Sequence, residues 1–164
     1  MKASLQPRVW ATILVAATAV MSGTFACVAP FPAIATIASR SLPRREALVM
    51  SVCAVAANQM VGFFFLKYPW TLATAVWAPV FLVATLGAYA AAVVIPQWPL
   101  ALVAAFASYE IVLAAYSLAV THSLAAFTPT IVSEVAVINI VSGAVVVLLS
   151  LVLSTVSRRG YSEA

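Results

Sequence analysis

Glu110 is the residue whose type and position most demand a chemical account. It stands about ten residues into the apolar run 100–122, near the middle of any membrane span that this run forms. A charged side chain at the centre of a bilayer costs roughly 2.5–3.5 kcal/mol on insertion scales. Such a carboxyl either binds a cationic or hydrogen-bonding group, takes up a proton, or hydrogen-bonds a neighbouring helix as a neutral acid. Ala107, Glu110, Ala114, Ser117 and Thr121 recur at three- and four-residue spacing. That spacing predicts one small or polar helix face turned to the bundle interior or a cavity.

Amides at membrane depth form the second set. Asn58 and Gln59 are adjacent, so they point about 100° apart on a helix, and one of them must face inward. Ser51, Ala54, Asn58 and Gly62 share a face of small residues that permits close helix approach. Asn139 has the same setting, with Ser142 and Gly143 beside it. Each amide either anchors a ligand or joins two helices. Asn58, Gln59, Glu110 and Asn139 are therefore the candidate substrate-binding residues. Glu134 reads as a rim residue near a helix start, and His122 as an interfacial residue at a helix end. Trp77 and Tyr109 read as packing.

Other chemistry is missing from the sequence. The one histidine, two cysteines and four acidic residues make no metal-ligand spacing, no nucleophile triad and no glycine-rich phosphate loop. We expect no enzyme activity, no cofactor, no metal and no ATP site within this chain. Cys27 and Cys53 lie in apolar context, where an inert buried thiol and a bridge at one outer surface are both open.

The composition says where these residues sit. Of 164 residues, 65% are hydrophobic and only 7% are charged, with a mean hydropathy of +1.14. Soluble domains carry roughly 25% charged residues. Twelve charges cannot coat a chain this size with water-facing surface, which excludes an ordinary soluble enzyme and a disordered chain. The net charge of +4 belongs to a lipid bilayer rather than to nucleic acid.

A span needs about 20 apolar residues. Run lengths, prolines and charges divide the chain into segments at about 9–29, 31–42, 44–66, 71–95, 100–122 and 130–157. Pro30 and Pro32 break the first run. The second segment is short for a full crossing and reads either as a crossing or as a half-helix buried in protein. Pro43 is expected in the first turn of the third segment, Pro79 as a kink in the fourth, and Pro96-Gln97-Trp98-Pro99 as a connection. Thr128 is expected to cap the last helix, with Pro129 at its first position. With the N-terminus in the cytoplasm and a returning second segment, every Lys and Arg except Lys67 falls on the cytoplasmic side, as the positive-inside rule requires. Trp10, Trp70 and Trp98 fall at segment ends, as an aromatic belt does. Cleavage of the first segment at the stretch ending in Cys27 is the alternative to an uncleaved first span. The expectation is an all-α integral membrane protein, a single domain over 1–164. It is a compact bundle of five to six transmembrane helices with both termini cytoplasmic, in the inner membrane of a bacterial-type cell.

Several local patterns lie together in this layout. Ala29-Pro30-Phe31-Pro32-Ala33 opens the short helix, and a basic turn, Arg40-Ser41-Leu42-Pro43-Arg44-Arg45, follows it. Ala57-Asn58-Gln59-Met60-Val61-Gly62-Phe63 and an aromatic turn at Tyr68-Pro69-Trp70 come next. Over about residues 29–90 the chain resembles the membrane substrate-binding (S) subunits of energy-coupling-factor transporters. The resemblance implies a small-molecule solute bound from the outer face: a vitamin, a vitamin precursor or a metal ion. It also implies handover through a transmembrane coupling subunit and two ATPases, onto which the first helix docks by small residues four apart. Ala19 and Gly23 have that spacing, without a longer series. The chain lacks the histidine-bearing N-terminus of metal-binding members, which turns the expectation away from nickel and cobalt. The reading is a solute-binding membrane subunit of an uptake transporter. The alternative is a non-transporting accessory or assembly protein, in which the same amides only join helices.

Overall fold

The computed structural model describes residues 7–25 and 29–162, with side chains over 12–20, 23 and 29–148. All regular structure there is helical: α1 (Pro7–Phe25), α2 (Phe31–Ser41), α3 (Arg44–Met60), α4 (Leu72–Ala75), α5 (Trp77–Val94), α6 (Trp98–Thr121) and α7 (Pro129–Ser162). Among the described residues four helical stretches are long and apolar enough to cross a membrane: Arg44–Phe65, Leu72–Val94, Trp98–Thr121 and Pro129–Leu148. Their outer faces are apolar, with Val49, Val52, Val83, Val103, Ile111, Leu118, Val137, Ile140 and Leu148 exposed. Soluble monomers rarely expose apolar surface on this scale. This is an all-α, multi-pass membrane chain.

The contact between α5 and α6 is made of small residues rather than large ones. Ala84, Ala88 and Ala92 line α5, and Ala101 and Ala105 face them from α6, all fully buried. Repeats four apart stack on one helix face, and without Cβ branches the two backbones approach closely. A Cβ on Gly87 would lie 3.1 Å from Ser108 Oγ, so the α5–α6 pair is closed tight. Four buried hydroxyls are satisfied inside their own helices. Thr18 donates to Leu14 O, Thr36 to Pro32 O, Ser51 to Ala47 O and Thr85 to Phe81 O. With no water in a hydrocarbon core, this i−4 bonding is the local way to pair a hydroxyl.

The short second segment is the centre of the bundle. Every residue of α2 from Phe31 to Ala38 is buried, and α2 packs on α1, α3, α5, α6 and α7. Eleven residues rise about 16 Å, against a hydrocarbon core of about 30 Å. The half-helix reading therefore holds, and α2 does not cross by itself. Its C-terminal end is fixed by Arg40, whose guanidinium donates to Ala92 O at 3.0 Å and to Ile95 O at the end of α5. That places α2's end level with Arg44, Arg45 and the α5–α6 turn, the basic end of the bundle. Its N-terminal end stops halfway, where the Phe31 ring lies 6.0 Å from those of Phe81 and Tyr109.

A helix starting at that depth has first-turn amides that lipid cannot bond. Each is accounted for. Phe31 N–H donates to Ala29 O and Ile34 N–H to Pro30 O, and Pro32 has no N–H. Ala33 N–H donates 3.3 Å to Asn139 Oδ1 of α7. Asn139 Nδ2 in turn donates 3.0 Å to Val135 O. Gly143 of α7 faces Ala33, where a Cβ would be in ordinary contact at 3.4 Å.

Several boundaries differ from the sequence expectation. The third segment ends in a π-helical turn, Val61–Phe65. A Cβ on Gly62 would lie 2.7 Å from the Tyr68 ring, so only glycine fits beneath it. The fourth segment is split at Val76 into α4 and α5. Pro79 lacks the N–H that would bond Ala75 O and its ring crowds that carbonyl, which is how a proline interrupts a helix. Trp98 and Pro99 are not a connection but the first residues of α6, where a proline costs no hydrogen bond. α3 starts after Pro43, which is its N-cap. Thr128 does cap α7, its Oγ1 accepting from Ile131 N–H. Trp70 and Trp98 are exposed at opposite ends of the bundle, as a belt expects. The Trp10 side chain, Cys27 and the C-terminal Arg158 and Arg159 side chains lie outside the described residues. Cys53 is an exposed free thiol rather than a buried one.

Asn139→Leu removes the acceptor for a buried amide while keeping side-chain volume. The expected loss is about 1–3 kcal/mol, read as a lowered thermal midpoint in detergent. Asn139→Asp, which keeps the acceptor oxygen, is expected to lose less.

Candidate functional site

A half-length central helix fills only half a bundle. Between Phe31 and the end opposite the arginines, the surrounding helices line two partly open cavities. The larger, about 530 Å³, is lined by Gln59, Tyr68, Pro69, Ala73, Thr74, Trp77 and Phe81. Small-molecule sites fall in roughly the 300–1,000 Å³ range. The smaller, about 190 Å³, lies over Ala29 among Tyr109, Glu110, Leu113, Phe127 and Val135. Trp77 and Phe81 line both cavities and form their common wall.

The wall is built by a chain of ring contacts. Trp77 and Phe81, one turn apart on α5, have ring centroids 5.7 Å apart. Trp77 meets Tyr116 of α6 edge-on at 5.0 Å, and Phe81 leans on Phe31 at the start of α2. The break at Val76 places Trp77 at the first position of α5, directly over the cavities. On the far side, Tyr68 is held by its N–H to Gly62 O at 3.0 Å. Lys67 takes a left-handed backbone, φ 58°, to make that turn. Phe63 stacks on Trp70 at 4.5 Å behind it. The result is a mostly apolar, aromatic-lined recess with a few polar groups, the usual make-up of a ligand site.

The four sequence candidates do not share one pocket. Gln59 lines the larger cavity, and its Nε2 donates 3.1 Å to Asn58 Oδ1. Asn58 is buried with Ser51, Ala54 and Gly62 on the predicted small face; it orients Gln59 rather than lining the cavity. Glu110 lines the smaller cavity. Asn139 is committed to the α2 cap and lines neither.

The face predicted around Glu110 is only partly turned inward: Glu110 reaches the smaller cavity and Ser117 is buried. The buried stripe of α6 is Ala101, Ala105, Tyr109, Leu113 and Ser117, one residue round from the expected stripe, and Ala107 and Thr121 are exposed. Bulky Tyr109 and Leu113 win the interior because the close α5 contact needs Ala101 and Ala105 in register with them. Glu110 sits on the flank, half-buried, toward Ile131 and Val135 of α7. There α7 leans on α2 and α1 rather than on α6, and the gap is the smaller cavity. Glu134 is exposed on α7 beside an open groove with Ser133, Val137 and Ile138, a rim position as expected. His122 is exposed at the end of α6 with a left-handed φ of 52°, also as expected.

Trp77, Phe81, Tyr68 and Thr74 were not among the sequence candidates. The signal was present in Trp77 and Phe81 four apart on either side of Pro79, opposite a segment too short to cross. Among the described residues no group of His, Cys, Asp and Glu is placed to hold a metal ion. The chain matches no protein-family model, no curated protein and no solved structure.

Water access at mid-depth separates these cavities from packed protein. In a background of Cys27→Ser and Cys53→Ser, Glu110→Cys is expected to react with a membrane-impermeant thiol reagent. Ser142→Cys, buried on α7, is expected to resist it. Equal protection of both would mean that the smaller cavity is closed.

Proposed function

We propose that the chain is a solute-binding membrane protein, the substrate-binding subunit of an uptake transporter. One observation carries this reading. The central helix stops at mid-depth with its amides satisfied, and the space above it is walled by aromatic rings instead of being filled by side chains. A bundle that only needed to be stable would close that space, since an unfilled cavity forfeits packing contacts. The positive-inside rule puts the basic end, with Arg40, Arg44 and Arg45, in the cytoplasm. The cavities then face outward and both termini lie inside, in the inner membrane of a bacterial-type cell.

The motif resemblance to S subunits of energy-coupling-factor transporters supports the same reading. It covers α2 with its preceding prolines, the basic turn, the end of α3 and the turn after it; of these, Ala29, Gln59 and Tyr68-Pro69 line the cavities. On this reading the chain supplies binding alone. A transmembrane coupling subunit and ATPases supply the energy.

Native mass spectrometry of the gently solubilised protein, purified from its own host without added ligand, tests the proposal. The expected result is a co-purified small molecule that Trp77→Ala loses and Val83→Ala, on the lipid-facing side of α5, retains. A co-purified membrane subunit with ATPases would support the transporter assignment separately. An empty protein without such partners would favour an accessory or assembly role.

A further inference from the structure

The cavities also define what charge their occupant carries. Among the described residues Glu110 is the only acidic residue lining either of the two cavities, and no Lys, Arg or His lines them. Among the described residues its carboxyl makes no hydrogen bond or ion pair. A half-buried carboxylate among apolar side chains and ring faces is costly until an opposite charge arrives. A helix N-terminus in the middle of a membrane is the ordinary place to bind an anion, but here that option is closed. The α2 amides are consumed by Ala29 O, Pro30 O and Asn139 Oδ1. The site therefore offers a carboxyl to a cation and withholds amides from an anion.

The walls add a second preference. Trp77, Phe81 and Tyr109 surround the Glu110 cavity. Ring faces attract a cation held within about 6 Å of their centroids, and they stack against a flat ligand. We propose that the occupant is a flat organic cation, an aromatic ammonium or ring-nitrogen cation. Its charged atom is seated beside Glu110 and its plane lies against the Trp77–Phe81 wall. This rests on the solute-binding reading above and names the ligand class for that same site.

The test uses the full chain in nanodiscs of zwitterionic phosphatidylcholine, so that the lipid itself has no net charge to attract a cation. Three probes of like shape are compared by calorimetric titration: 1-methylquinolinium, neutral 1-naphthylmethanol and anionic 1-naphthoate. The cation is expected to bind at least about tenfold more tightly than the neutral probe, in keeping with the worth of one desolvated cation contact with its partner charge. Glu110→Gln is expected to erase that preference, and Glu110→Asp to keep most of it. Trp77→Leu is expected to weaken the cation more than the neutral probe. If Glu110→Gln does not fold, the ranking of the three probes on the unaltered chain still decides. Binding with no preference for the cation, or with a preference for the anion, would overturn the ligand class and leave solute binding standing. No binding of any of the three would overturn both.

Discussion

A helix that begins in the middle of a membrane bundle has to find protein partners for the amides of its first turn, because lipid supplies none. In this chain the decisive partner is the Asn139 side chain. It accepts from Ala33 N–H across two helices far apart in sequence. Pro30 and Pro32 reduce the number of amides that need a partner. At the other end Arg40 binds the last carbonyls of α5, which fixes how deep α2 reaches. The two ends together hold a half-length helix at the centre of the bundle.

The outer half of the molecule follows from that placement. Where α2 packs against Ala84, Ala88, Ala92, Ala101 and Ala105, the core is closed by small residues and self-bonded hydroxyls. Where α2 has ended, the neighbouring helices carry Trp77, Phe81 and Tyr109 instead. Their rings brace one another around open space rather than filling it. The break at Val76, the π-helical end of α3 and the Gly62–Tyr68 contact all lie at the edge of that space. π-helical turns occur frequently at functional sites, and a proline-split helix beside one fits the same pattern. Irregular backbone at membrane depth is tolerated where it lines a cavity.

Much of this was legible in the sequence. The apolar runs, the breaking prolines and the Thr128-Pro129 start report local chain chemistry, so the helices and their approximate ends could be read directly. The small face of Ser51, Ala54, Asn58 and Gly62 was also correct, because close packing demands small side chains in register. The α6 face was displaced by one residue. Spacing alone did not tell Glu110 from Tyr109 as the interior residue; the partner stripe on α5 decided it. Asn139 looked like a ligand group and is a cap, since its target lies 106 positions away in the chain. The aromatic wall was missed for the same reason: a cavity is a property of how helices end relative to one another, not of any one helix.

Cryo-electron microscopy of the chain in nanodiscs formed directly from its native membrane tests the central claim most directly. α2 is expected to start level with Tyr109, with Asn139 on its first turn. Non-protein density is expected against Trp77 and Phe81 on the side away from the arginines. A second segment running the full depth of the membrane, with its side chains occupying that space, would contradict the claim.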